Sequence, residues 1–230
     1  MSDFVVLSQE LLLAVKMGRP YGAYVEQLAL ADEKHLAPAL PTDAERKAFW
    51  INVYNAFTQL LLHEQPELYR NRHRFYASRL IRIAGRWLSL SEVEHGILRR
   101  SRHSLSFGYF NHWPVSEFEK KHRVNQRDAR IHFALNCGAA SCPPVRFYQS
   151  ARVEEQLDIA AESYLGEMAE YREGNNEVGL PKLFLWFRGD FGGRRGIWEL
   201  LRRYGVIPAQ ARPRFRYFSY DWRMQLNQFR

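Results

Sequence analysis

At 230 residues, with 46% hydrophobic and 25% charged residues, the chain has ordinary globular composition and the length for a sizeable core without staples. A net charge of +8 admits an anionic partner. No apolar run approaches the roughly 20 residues that a spanning helix needs, so an integral membrane protein is excluded from the expectations.

The N-terminal MSDFVVLSQELLLAVKMG has no basic n-region, and Glu10 interrupts its apolar run, so it makes a poor signal peptide. The expectation is a cytoplasmic protein without membrane contact, with reduced cysteines and no structural disulfide. Residues 4 to 34 carry helical periodicity through Leu7, Leu11, Leu12 and Val15, then through Tyr24, Leu28 and Leu30. Gly18, Pro20 and Gly22 separate two helices there. PTDAERKAFWINVYNAFTQLLLHEQP predicts a central, buried helix: Thr42 or Asp43 caps it, Glu45 stands in its first turn, and Pro66 follows its end. Asn52, Asn55 and Gln59 cluster on its surface. They either hydrogen-bond loop backbone, or Asn55 or Gln59 lines a pocket as a donor to a developing oxyanion.

Arg70 to Arg86 holds six arginines and no acid, and Arg212 to Arg223 interleaves arginine with aromatics. Nucleic-acid surfaces share that look. The near-strand spacing favours arginine stems covering a sheet edge, so nucleic acid is not the expected partner. Leu80 to Ile83 and Trp87 to Leu90 predict a hairpin, and Ser91 with Glu94 a capping box for a helix to Arg100 that carries His95. Phe107 to Asn125 is loop-rich. Later helices are expected from about Val153 to Tyr171, in LPKLFLWFRGDFGG and in IWELLRRYG, with RFRYFSYDW as a strand. The pattern predicts an α+β fold: a predominantly helical single domain over 1–230 with a small antiparallel sheet or hairpins. Residues 1–40 form a helical extension packed on it, and a distant papain or transglutaminase likeness is expected.

Both cysteines lie in RIHFALNCGAASCPPV, Arg130 to Val145. As a strand, this stretch puts His132 and Cys137 on opposite faces; as a helix, it sets them roughly 140° apart. Neither geometry pairs them, so Cys137 is either a small buried hydrophobe or a site thiol. Cys142 follows the GAAS loop and precedes Pro143, and a chain that doubles back can bring it to His132 or His95. An inert buried thiol is the alternative. A metal site of the two cysteines with His132 and His95 is a third reading, and the four-residue gap does not suit a thioredoxin-like pair.

The segments AFWINVYNAF (48–57), LSLSEVEHGILR (88–99), DARIHFALNCGAASCPPV (128–145), WFRGDFGG (186–193) and YDW (220–222) together resemble the domain of unknown function 547. Ala129 stands where the family commonly has proline or an aromatic, while the positions of His95, His132, Cys137 and Cys142 are all filled. The resemblance implies that these motifs belong to one unit and meet in space, and it supplies no reaction. Relatives in plants can carry the domain behind a coiled coil, which keeps an interaction role open.

The leading reading is a thiol-dependent hydrolase or acyl transferase acting on a small molecule or peptide, without cofactor. Cys142 is its nucleophile and Cys137 the substitute; His132 or His95 is the base, oriented by Asp221 or Glu94. Asn55 and the backbone around Gly138 stabilise the oxyanion. Asn52, Asn136, Ser141, Arg188 and Asp190 are candidate binding residues. The rival is a non-catalytic protein-interaction module whose polar motifs form a satisfied core network.

Overall fold

Residues 3–230 are described by the computed structural model; the first two positions of the predicted extension lie outside them. Asp3–Lys16 (α1) and Gly22–Leu30 (α2) flank the Gly/Pro break, and Glu33–Ala39 (α3) adds a short helix whose cap, Asp32, accepts from the Lys34 N–H. Asp43–Glu64 (α4) opens on a capping box between Thr42 and Glu45. Every residue from Lys47 to Leu62 is buried, so α4 is covered on all sides, with α1 packed along it.

After Arg72–Ala77 (α5), Arg79–Ile83 (β1) and Arg86–Ser89 (β2) form the predicted hairpin, antiparallel. Ile81, Ile83 and Leu88 enter the core while Arg79 and Arg82 stay outside. The next helix departs from expectation. Glu92–Leu98 is π-helical, with the Arg99 and Ser101 N–H groups donating to the Glu94 and Gly96 carbonyls, five residues back. Ser91 does not cap it. The reciprocal pair is Ser89 with Glu92: the Glu92 N–H donates to Ser89 Oγ at 3.0 Å and the Ser89 N–H to Glu92 Oε2 at 2.8 Å. With Glu92 at the cap, the Glu94 carboxylate is left for the interior.

Glu117–His122 (α6) lies within the loop-rich region, and Val153–Met168 (α7) follows the cysteine stretch. Glu170–Arg172 (β3), Glu177–Pro181 (β4), Leu183–Trp186 (α8), Gly193–Arg203 (α9) and Arg214–Phe218 (β5) complete the chain. The second sheet runs β3-β4-β5, with β3 antiparallel and β5 parallel to β4. The parallel pair arises because α8 and α9 form the crossover between its strands, a connection that returns the chain in the same direction. The fold class is α+β, as the sequence pattern predicts. One apolar cluster surrounds α1, α4 and the hairpin, and another gathers α7, α8 and α9 around Phe184, Phe191 and Ile197. Among the described residues no helix is long and apolar enough to cross a membrane.

An ion cluster pins the entry to the cysteine stretch. Asp128 takes Lys47 Nζ at 3.0 Å and Arg130 Nη2 at 2.7 Å, and Glu154 bonds both cations. Burial alone would raise the Asp128 carboxyl, but Arg130 and Lys47 pull it down to about 2. A depressed acid stabilises the fold above its ordinary value of 3.8 and loses that contribution as pH falls towards about 2. Asp128→Asn is therefore expected to cost about 2 kcal/mol at neutral pH in urea unfolding, a loss that shrinks once the pH drops below about 4. A pH-independent cost would contradict this account.

Candidate active site

Ala129–Phe133 is a 3₁₀ turn, neither strand nor α-helix, and the side-chain amides of α4 hold the segment after it. Asn55 Nδ2 donates to the Ala134 carbonyl at 2.9 Å, and Asn55 Oδ1 accepts the Asn136 N–H at 2.9 Å. Asn52 brackets Tyr148 in the same way, at 2.9 and 3.0 Å. Gln59 Nε2 donates to Asn136 Oδ1 at 3.1 Å, Asn136 Oδ1 also accepts the Gly138 N–H, and Asn136 Nδ2 donates to the Pro143 carbonyl. The oxyanion role expected of Asn55 is corrected: both ends of its amide are occupied by backbone. The backbone around Gly138 is equally spent, because the Ala140 and Ser141 N–H groups donate to the Arg223 and Asp221 carbonyls. Gly138 itself has φ +79°, and an added Cβ would stand 2.6 Å from Leu62 Cδ1.

The GAAS turn doubles the chain back, bringing the Cys137 and Cys142 Cα atoms to 6.2 Å, and the two sulfurs form a disulfide. The expected pair of free thiols is thus corrected by the turn's geometry. Tyr220 Oη lies 3.2 Å from Cys142 Sγ and 3.4 Å from Cys137 Sγ, and the Cys137 N–H donates to Cys142 Sγ. No histidine hydrogen-bonds either sulfur among the described residues. Cys142, the expected nucleophile, is buried at 5% exposure, whereas half-buried Cys137 lines a cavity that it shares with the histidines.

That cavity, of about 380 Å³, is lined by Tyr54, Glu94, His95, His132, Cys137 and Tyr220 among others. Trp186, Tyr220 and Trp222 pack together along one wall, with centroids 4.6 to 5.6 Å apart, Trp186 stacked on Trp222 and Tyr220 tilted against both. Behind the polar side stands Arg99, 1% exposed, whose Nε donates to Asp190 Oδ2 at 2.6 Å and whose Nη1 donates to His95 Nδ1 at 2.9 Å. An arginine only donates, so His95 carries its ring proton on Nε2. Burial, then the Arg99 charge, pushes the His95 imidazole down to about 3 and keeps it neutral at ordinary pH. His132 Nε2 bonds Asp190 Oδ2 at 2.9 Å, and its ring stacks on Phe187 at 4.0 Å. Burial would raise the Asp190 carboxyl, but His132 and Arg99 hold it below the usual range. Glu94 lies 3.5 Å from His95 Nδ1 and 3.3 Å from the Tyr54 hydroxyl, and burial lifts its carboxyl above the usual range. Glu94 and His95 keep 15% and 17% of their side chains exposed, so the pair is not sealed.

Of the residues chosen from sequence, His95, His132 and Cys137 share the cavity, the two histidines being joined through Arg99 and Asp190. Asp221 does not orient a histidine: its carboxylate holds Arg223, while its N–H donates to Ser141 Oγ at 2.8 Å. Asp190 takes that place. Arg188 leaves Nε buried without a partner among the described residues. Sequence reasoning gives no role to Arg99, Tyr54 or Tyr220, although Arg99 stands four residues after His95 and Tyr220 opens the YDW segment. Among the described residues no three His, Cys, Asp or Glu side chains gather to hold a metal ion.

A family model described as protein of unknown function, DUF547, matches residues 38–165, more than half of the chain. No curated protein and no solved structure matches it.

Proposed function

We propose that the chain, which belongs to the DUF547 family, is a thiol-dependent hydrolase or acyl transferase with Cys137, not Cys142, as its nucleophile. The observation that carries this reading is one cavity lined by Cys137, His132, His95 and Glu94. A dithiol supplies two electrons and two protons to open the disulfide, and is itself oxidised. The Cys137 proton then passes through cavity water to His132 Nδ1, the ring nitrogen left free by the bond to Asp190. The thiolate adds to an acyl carbonyl, and the oxyanion takes donors from His95 Nε2–H and Tyr220 Oη–H. Burial keeps the Tyr220 hydroxyl protonated, hence a donor. Collapse expels the alcohol, amine or thiol with the proton from His132, leaving acyl-Cys137. Water or an acceptor nucleophile, deprotonated by His132, releases the acyl group and restores the thiol.

Iodoacetamide labelling followed by peptide mapping tests the assignment. No label is expected before reduction, and Cys137 is expected to react first afterwards. Preferential reaction at Cys142, or inertness of both reduced thiols, would sink it. The satisfied amides of Asn52, Asn55 and Gln59 favour the second reading, a non-catalytic interaction module. On that reading reduced Cys137 shows no more reactivity than a free cysteine.

A further inference from the structure

Five large apolar side chains stand exposed in one loop: Leu105, Phe107, Tyr109, Phe110 and Trp113, the last at 90%. A concentration of that kind marks an interaction surface. The loop is not slack. Arg102 Nη1 donates to the Tyr109 carbonyl at 2.7 Å and to Asn111 Oδ1 at 3.1 Å, and the Gly189 N–H donates to the Phe107 carbonyl at 2.7 Å. Gly108 presses against Asp190, where a Cβ would lie 2.7 Å from the Asp190 nitrogen. Its backbone is therefore fixed while the side chains are held out in water.

From His103 to Val115 the sequence HSLSFGYFNHWPV contains no Lys, Arg, Asp or Glu. In sequence Glu117 and Glu119 follow it, and the nearby cations come from across the fold: the Tyr109 hydroxyl reaches Gly193, which is followed by the exposed Arg194 and Arg195. An aromatic tip without charged residues beside the exposed Arg194 and Arg195, on a chain of net charge +8, is complementary to an anionic bilayer.

We propose that residues 103–114 form a docking loop that seats the protein on an anionic lipid surface. The aromatic tips sit among the headgroups and the arginines lie against lipid phosphates. Ser104 and Leu105 also line the cavity, so the docked loop brings the cavity to the interface, where an amphiphilic acyl ester or thioester can pass in from the bilayer. That delivery step rests on the thiol-enzyme reading; the docking does not.

Flotation of the full chain with vesicles of equimolar phosphatidylcholine and phosphatidylglycerol, against pure phosphatidylcholine, tests the docking. Binding is expected on the anionic vesicles only, weakening with salt. The triple variant Leu105→Ser, Phe110→Ser, Trp113→Ser is expected to bind about tenfold or more weakly, with an unchanged thermal midpoint because these side chains are exposed. A vesicle-induced blue shift of tryptophan emission should shrink in Trp113→Phe, which still binds. Failure of the wild type to float, or equal flotation of the triple variant, overturns the proposal. So does self-association relieved by the triple variant in the absence of vesicle binding, which would assign the loop to a second copy. Flotation is indifferent to alkylation at Cys137, so the docking and the thiol chemistry fail separately.

Discussion

Cys137→Ala is expected to abolish acyl-substrate turnover by the reduced protein, by roughly a thousandfold or more, whereas Cys142→Ala leaves turnover in place without a reductant. The asymmetry follows from the cavity. Cys137 lines it, and Cys142 is buried beside a separate, smaller pocket on the other side of the loop. Removing Cys142 takes away the partner that occupies the Cys137 sulfur in the disulfide. Initial rates on a panel of aryl esters and thioesters, with and without a dithiol, give the comparison. Equal loss in both variants would mean that the sulfurs act as a staple and not as a nucleophile with its lock.

Arg99→Met is expected to destabilise the fold by about 3–5 kcal/mol and to lower the thermal midpoint by roughly 10 °C. Arg99 is almost fully buried, and its loss leaves the Asp190 carboxylate with His132 and without its closest cation. It also removes the guanidinium that lies 4.5 Å from the Phe187 ring centre, on a residue that His132 stacks against. The double variant Arg99→Met, Asp190→Asn removes both charges of the Arg99–Asp190 pair and is expected to lose less than the sum of the two single losses. Thermal and urea unfolding of the four proteins measures the coupling. Strict additivity, or a single-variant cost below about 1 kcal/mol, would show that the pair does not hold this region together.

The parts of the fold legible in the sequence are those with local causes. Thr42, Glu45 and Pro66 bound α4, and Ala84-Gly85 turns the hairpin at positive φ. The π-helix was not legible, because SLSEVE holds two overlapping Ser-x-x-Glu patterns, Ser89 with Glu92 and Ser91 with Glu94. Local propensity does not choose between them; the burial of Glu94 beside Tyr54 does. The site was half legible. Residue chemistry and the family resemblance pointed to His95, His132 and Cys137, which line one cavity, but the bonds that define the histidines' surroundings cross 58 and 91 positions to Asp190, and no spacing argument reaches that far. The disulfide was hidden by the reasonable assumption that an intracellular setting keeps thiols apart, while the turn that joins them is local.

Tyr220, whose hydroxyl covers both sulfurs, lies 78 positions after Cys142. At ordinary synthesis speeds that separation amounts to roughly 4–16 s between the appearance of the sulfurs and that of their cover. The extended run from Asp221 to Arg230, which bonds Gly138, Ala139, Ala140 and Val145, arrives in the same interval. The growing chain thus presents two adjacent, uncovered thiols for several seconds, so an oxidant or reductant can reach them in the nascent chain before the finished cavity exists.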